Sequence, residues 1–184
     1  MIFRSTPLQG AFVVELEPHR DDRGGFARTF CEREFADHGL ATRYPQANVS
    51  WNHARHTLRG LHWQAFPYGE DKLVRCTAGA IHDVIVDLRR ESPTRLAWFG
   101  VELSAANRRA LYVPRGFAHG FLTLEDDCEV SYAMSESFAP EAGRGLRFDD
   151  PKLGIRWPAP PAVISERDLA WPAYDDALLC EVAP

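Results

Sequence analysis

The 184-residue sequence predicts an all-β protein, an antiparallel jelly roll closed as a sandwich or barrel, with a few short peripheral helices. Three observations predict it. Short apolar or alternating runs recur along the chain, at 10–16, 58–64, 72–76, 80–88, 96–103, 110–113, 117–124 and 128–134. Gly, Pro, Asn and Asp separate them, as expected of many short strands joined by turns. The helices that a parallel α/β sheet needs between its strands are missing. A jelly roll also limits the exposed strand edges that such a set of strands would otherwise leave.

The elements follow in order. A helix of about two turns is expected from Glu32 to His38, closed by Gly39. Pro114 and Gly116 mark a turn after 110–113, and Asp126-Asp127 marks another before 128–134. The stretch 138–161 is rich in Pro and Gly and is expected to wrap the surface without regular structure. A last helix is expected over 175–182. No repeat or linker interrupts the chain, so 1–184 reads as a single jelly-roll domain with an N-terminal arm and a C-terminal wrapping tail.

Composition narrows the function. Hydrophobic residues make up 45% and charged residues 26%, ordinary values for a soluble globular domain. A formal net charge of -5 argues against general nucleic-acid binding, which needs a basic face. No run approaches the ~20 apolar residues of a membrane span, and the N-terminus lacks a signal-like apolar core. The scattered Cys31, Cys76, Cys128 and Cys180 form no C-x-x-C pair and read as free thiols of a cytoplasmic protein.

Chemistry concentrates on two clusters. Leu58-Arg59-Gly60-Leu61-His62-Trp63-Gln64, followed by Lys72-Leu73-Val74-Arg75-Cys76, supplies a histidine, a lysine and arginines on strand-like segments. Gly116-Phe117-Ala118-His119-Gly120-Phe121 adds a second histidine. On a strand, His62 shares a face with Gly60 and Gln64, while Leu61 and Trp63 point the other way. A lone strand histidine is more often a satisfied core residue, but an imidazole oriented by a carboxylate serves as a general base near neutrality. In 128–134, alternation turns Cys128, Val130, Tyr132 and Met134 inward, so the Tyr132 phenol is either a core group or a proton donor in a pocket. Lys72, on a face with Val74 and Cys76, either reaches solvent at the strand start or needs an anion. Arg59 and His62 face opposite sides of an ideal strand and meet at one site only if Gly60 forms a bulge. Arg23 and Arg28 flank a glycine turn and suit a pyrophosphate, although solvated loop arginines are commoner. A metal is disfavoured, because His62 has no second histidine at close spacing and His53 and His56 fall in a loop.

Taken together, these segments resemble the dTDP-4-dehydrorhamnose 3,5-epimerase family. The matching motifs run from about Phe12 to Pro172. They include Asp22-Arg23-Gly24, Gln46-Ala47-Asn48, Val86-Asp87-Leu88-Arg89, Ser92-Pro93-Thr94, Asp150-Pro151-Lys152 and Ser165-Glu166-Arg167-Asp168. The resemblance implies a cupin-like jelly roll, a homodimer, no cofactor, and inversion of carbons beside the C4 ketone of a nucleotide-linked 4-keto-6-deoxy sugar. It assigns His62 as the base, Asp168 as its partner, Lys72 to the enolate oxygen and Tyr132 to reprotonation from the opposite face. It places Arg59 and His119 along the sugar and phosphate. Arg23, Phe26, Gln46 and Asn48 would hold the nucleotide, in part from a neighbouring subunit, with Phe138 stacked on the base. Two positions depart from the family pattern. Arg28 stands where many members carry a hydrogen-bond-accepting glutamate, and Glu70 where glutamine is common. Arginine only donates, so a CDP-linked sugar stands beside the dTDP-linked one. A 3,4-ketoisomerase, a sugar-binding jelly roll without catalysis and a metal-dependent cupin oxygenase are the competing classes.

Overall fold

Two antiparallel sheets stacked face to face make up the body of the protein. The computed structural model describes residues 1–177 and residue 182. The strands are β1 (Ile2–Ser5), β2 (Phe12–Glu15), β3 (His19–Asp21), β4 (Gly24–Phe26), β5 (Gln46–Asn52), β6 (Thr57–Gln64) and β7 (Lys72–Ala78). They continue with β8 (Ala80–Asp87), β9 (Trp98–Ser104), β10 (Ala110–Val113), β11 (Phe117–Thr123), β12 (Cys128–Met134), β13 (Gly143–Gly145) and β14 (Val163–Ile164). The first sheet runs β1-β2-β10-β7-β12-β5 and the second β13-β6-β11-β8-β9, with β14 added in parallel to β6. The β3–β4 hairpin stands apart as a two-stranded sheet. This is the predicted jelly roll.

The alternation read from the sequence builds the core. Val74 and Cys76 from β7, Leu111 and Val113 from β10, and Cys128 and Val130 from β12 meet Ile81, Ile85, Leu103, Phe117 and Phe121 of the opposite sheet. Each fully buried side chain of this size contributes roughly 1.5–3 kcal/mol. The near-continuous apolar run of β8 has a second cause. The outer face of the second sheet is also covered, by Leu146, Leu153 and Tyr174 of the C-terminal segment against Leu61, Trp63 and Val86. The first sheet's outer face is covered by α1 (Glu32–Asp37), whose Phe35 is fully buried against Val14, Leu73 and Tyr112. His38 caps that helix and Gly39 follows at φ +69°, close to the expected end.

Several expectations need correction. Strands β1, β3, β4 and β5 were not legible as runs. Segment 138–161 is not wholly irregular: a 3₁₀ turn over Pro140–Ala142 leads into β13, which pairs with β6. The pairing is possible because Gly145 has no side chain where the Trp171 ring lies; a Cβ there would sit 2.3 Å from that ring. A four-residue helix α2 (Glu166–Leu169) carries the motif around Asp168. The helix expected over 175–182 falls largely on 178–181, outside the described residues.

Candidate active site

A cavity of about 460 Å³ opens between the two sheets, walled by β5, β7 and β12 on one side and by β6 and β11 on the other. Arg59, His62, Lys72, His119, Tyr132 and Asp168 all line it. The sequence left open whether Arg59 and His62 could share a site. They do, because β6 carries one extra residue relative to β11: His62 pairs with His119, and Arg59 with Phe121. Gly60 occupies this bulge at φ +121°, with the backbone of Gly120 against it; a Cβ would lie 2.6 Å from the Gly120 Cα. Only glycine fits both the dihedral and the contact.

His62 is the accessible imidazole, with 40% of its side chain exposed. Its Nε2 lies 2.5 Å from Asp168 Oδ1. That contact makes Nε2 the protonated nitrogen in the neutral ring and leaves the Nδ1 lone pair without a protein partner among the described residues. Asp168 is held in turn. Ser165 caps α2 by accepting the Asp168 N–H at 3.0 Å, Trp171 Nε1–H donates to Oδ1 at 3.2 Å, and the Gly60 N–H donates to Oδ2 at 3.4 Å. Burial opposes the charge on Asp168, but the hydrogen bonds from His62, Gly60 and Trp171 outweigh it and hold the carboxyl below its usual range. The arrangement is an accessible imidazole whose tautomer and ring plane are fixed by a buried carboxylate.

Tyr132 projects into the cavity from β12. Burial pushes its phenol well up, the negative Asp83 adds to this, and Arg59 and Ser50 oppose it only in part. The hydroxyl therefore keeps its proton near neutrality and is equipped to donate it. His119 packs edge-on to the Tyr132 ring, 6.1 Å between centroids, and its Nε2 is 2.7 Å from the fully buried Asp83. Lys72, at the start of β7, pairs with Glu70 at 3.1 Å, both side chains nearly buried in the cavity wall.

Cationic side chains outnumber anionic ones in the lining. Arg59 is oriented by Nε–H donation to Asn52 Oδ1 at 2.7 Å. Arg144 and Arg167 line the same cavity. A locally positive pocket thus sits in a chain of net charge -5, which suits a phosphorylated ligand. Gln46, Asn48 and Phe138 also line the cavity. The Phe138 ring is exposed, and the Phe138 backbone N–H donates to Gln46 Oε1 at 2.9 Å.

Arg23, Phe26 and Arg28 do not join this cavity. Arg23 is 90% exposed and pairs with Asp21, Phe26 is 78% exposed, and Arg28 pairs with Glu34 at 3.0 Å. All three belong to the β3–β4 hairpin or its sequel. Other participants escaped the sequence reading. Arg144 is on the three-residue β13, Arg167 on the four-residue α2 and Trp171 just beyond it, and such short elements carry no period. The one available signal was the three-residue spacing from Asp168 to Trp171, which lets the indole just past the end of α2 reach back to the carboxylate. Among the described residues no group of three or more His, Cys, Asp or Glu side chains could hold a metal ion.

An imidazole held by a buried carboxylate on one wall and a phenol on the other, in a cation-lined pocket of a jelly roll, are groups equipped to move protons on a phosphorylated ligand. The family model described as dTDP-4-dehydrorhamnose 3,5-epimerase matches residues 5–176. The dTDP-4-dehydrorhamnose 3,5-epimerase of Methanothermobacter thermautotrophicus is 47% identical over 173 residues, covering 92% of each chain. Two solved structures are similar. The Bacillus anthracis enzyme of that name, with TDP and PPi bound, has a TM-score of 0.91 at 38% identity, over 94% of this chain and 99% of that one. The dTDP-6-deoxy-D-glucose-3,5-epimerase of Legionella pneumophila, in complex with dTDP-4-keto-L-rhamnose, has a TM-score of 0.89 at 34% identity, over 97% and 96%. The chain belongs to the dTDP-4-dehydrorhamnose 3,5-epimerase family.

Proposed function

We propose that this protein is a cofactor-independent epimerase acting beside the ketone of a nucleotide-linked 4-keto-6-deoxyhexose. The observation that carries the proposal is the Asp168-held His62 on one wall of the cavity facing Tyr132 on the other. His62 Nδ1 takes the proton from the carbon next to C4. The electrons move to the ketone oxygen, and the Lys72 ammonium stabilises the enolate that forms. Tyr132 returns a proton to the opposite face of the planar enolate, which inverts the centre, and solvent resets both groups. Each proton-transfer group is expected to supply ~10²- to 10⁴-fold in rate. Arg59 and His119 bind the sugar and phosphates, while Gln46, Asn48 and Phe138 hold the nucleoside.

Arg23, Phe26 and Arg28 join the reading through a homodimer, in which the isolated β3–β4 hairpin of one subunit completes the cavity of the other. The exposure of Phe26 on that hairpin supports this. The whole chain acts as one functional unit. The free thiols of Cys31, Cys76 and Cys128 fit a reducing, cytoplasmic setting, and no helix among the described residues is long and apolar enough to cross a membrane.

The test is incubation with dTDP-4-keto-6-deoxyglucose in D₂O, with NMR of the sugar ring and a parallel run on the CDP-linked analogue. Deuterium at C3, C5 or both supports epimerisation and identifies the carbons. Faster reaction of the CDP substrate would assign Arg28 to cytosine. Absence of exchange with folded protein would remove the epimerase reading.

A further inference from the structure

The base and the enolate-stabilising cation arise from different sheets. His62 is on β6 of the second sheet and Lys72 on β7 of the first. Their separation therefore depends on how the sheets are joined around the cavity, and the Glu70 side chain is one of the links between them. Glu70 uses one carboxylate oxygen for Lys72 Nζ at 3.1 Å and accepts from Gln64 Nε2 at 3.4 Å with the other. Gln64 lies two residues from His62 on the same face of β6 and is itself fixed. Its amide shares its two hydrogens among Glu70 and the Tyr68 and Ser137 carbonyls, at 3.1 and 3.3 Å from the two carbonyls, and its Oε1 accepts the Ala139 N–H at 2.6 Å. The backbone at Glu70 is pinned too, because the next residue, Asp71, receives the Arg115 guanidinium at 2.8 and 3.1 Å and bonds Ser135. A nearly buried ion pair contributes little net stability. Its rigid connection to the strand of the base gives it another use.

We propose that Glu70 is a positioning residue, tethering the Lys72 ammonium to the β6 strand so that cation and base keep a fixed separation across the cavity. The inference rests on the role of Lys72 under the proposed function. It makes Glu70 act on kcat through Lys72 and not on nucleotide binding. A displacement of an ångström at such a group costs up to ~10²-fold.

The experiment is a double-mutant cycle of Glu70→Ala and Lys72→Ala in the full-length protein. It reads kcat and KM with the nucleotide sugar and Kd for dTDP alone, which reports an intact fold and nucleotide site. Glu70→Ala is expected to lower kcat by ~10- to 100-fold with dTDP affinity unchanged, and to have almost no further effect once Lys72 is alanine. Glu70→Gln keeps one oxygen able to accept from Lys72 and is expected to recover most of kcat. Full activity of Glu70→Ala, multiplying effects in the double variant, or a Glu70→Gln as slow as Glu70→Ala would each overturn the tether. Unimpaired kcat in Lys72→Ala alone would instead remove the assignment of Lys72, and the tether with it.

Discussion

His62 and His119 are direct register partners across the β6–β11 ladder, and each imidazole is held through Nε2 by its own carboxylate, Asp168 and Asp83 respectively. The two dyads differ in exposure. The His62 side chain is 40% exposed, that of His119 5%. An accessible imidazole exchanges protons with substrate and solvent, whereas an enclosed one is suited to fixed hydrogen bonding. The geometry therefore separates an accessible imidazole from an enclosed one, where the sequence presents two similar histidines.

Asp168→Asn tests the first dyad. Loss of the carboxylate frees the His62 tautomer, and kcat is expected to fall by ~10²- to 10⁴-fold. Stability at neutral pH should fall by roughly 1–3 kcal/mol, because a hydrogen-bonded charge is removed from a buried site. The folded carboxyl lies below its usual range, held there by hydrogen bonds that outweigh burial. Its stabilising contribution is thus complete above the unfolded carboxylate range and lost as pH falls through the depressed folded value. Urea unfolding of both proteins at neutral and acidic pH should show the gap closing in acid.

His62→Ala is expected to abolish α-proton exchange while the protein stays folded. Deuterium uptake by NMR, with circular dichroism for the fold, checks this. Unchanged exchange would remove His62 as the base.

For Tyr132→Phe, exchange at the carbon facing His62 is expected to continue while inversion fails, since abstraction needs only the base. NMR of the product in D₂O distinguishes retention with deuterium from full epimerisation. Complete epimerisation by this variant would exclude the phenol as the essential acid.

Gly145→Ala should act at a distance. The new Cβ meets the Trp171 ring at 2.3 Å, and Trp171 donates to Asp168. Displacing the indole removes one of the bonds that hold Asp168. We expect a lower kcat, with the loss largely absent in an Asp168→Asn background, and a stability cost of ~1–3 kcal/mol from overpacking. Equal losses in both backgrounds would exclude the path through Asp168.

Gly60→Ala should be harsher. It combines φ +121° with a Cβ 2.6 Å from the Gly120 backbone. The atoms it would meet, Gly120 Cα and N and the His119 carbonyl oxygen, are all backbone, so relaxation has to move a strand. A loss above ~3 kcal/mol, read by denaturant unfolding, is the expected result.

Much of this protein is legible in its sequence. Alternation in 128–134 oriented Tyr132 inward, because side chains on a strand alternate faces whatever surrounds them. The core strands were legible where both neighbours and faces are apolar. Strand β5 was not, because it is an edge strand whose Val49 and Trp51 remain exposed, so no burial pattern is written into it. The motif around Asp168 was visible as a resemblance, but its four-residue helix was too short to leave a period.

By itself, then, the sequence determined the all-β class, the inward phenol and the set of groups able to move a proton. Local backbone geometry carries that much, since strand alternation and turn chemistry act over a few residues. Only the tertiary structure decided which groups meet. Asp168 reaches His62 across 106 residues of sequence, the bulge at Gly60 turns Arg59 and His62 to one cavity, and Glu70 links two sheets that share no ladder. These are long-range packing relationships, and no local periodicity records them.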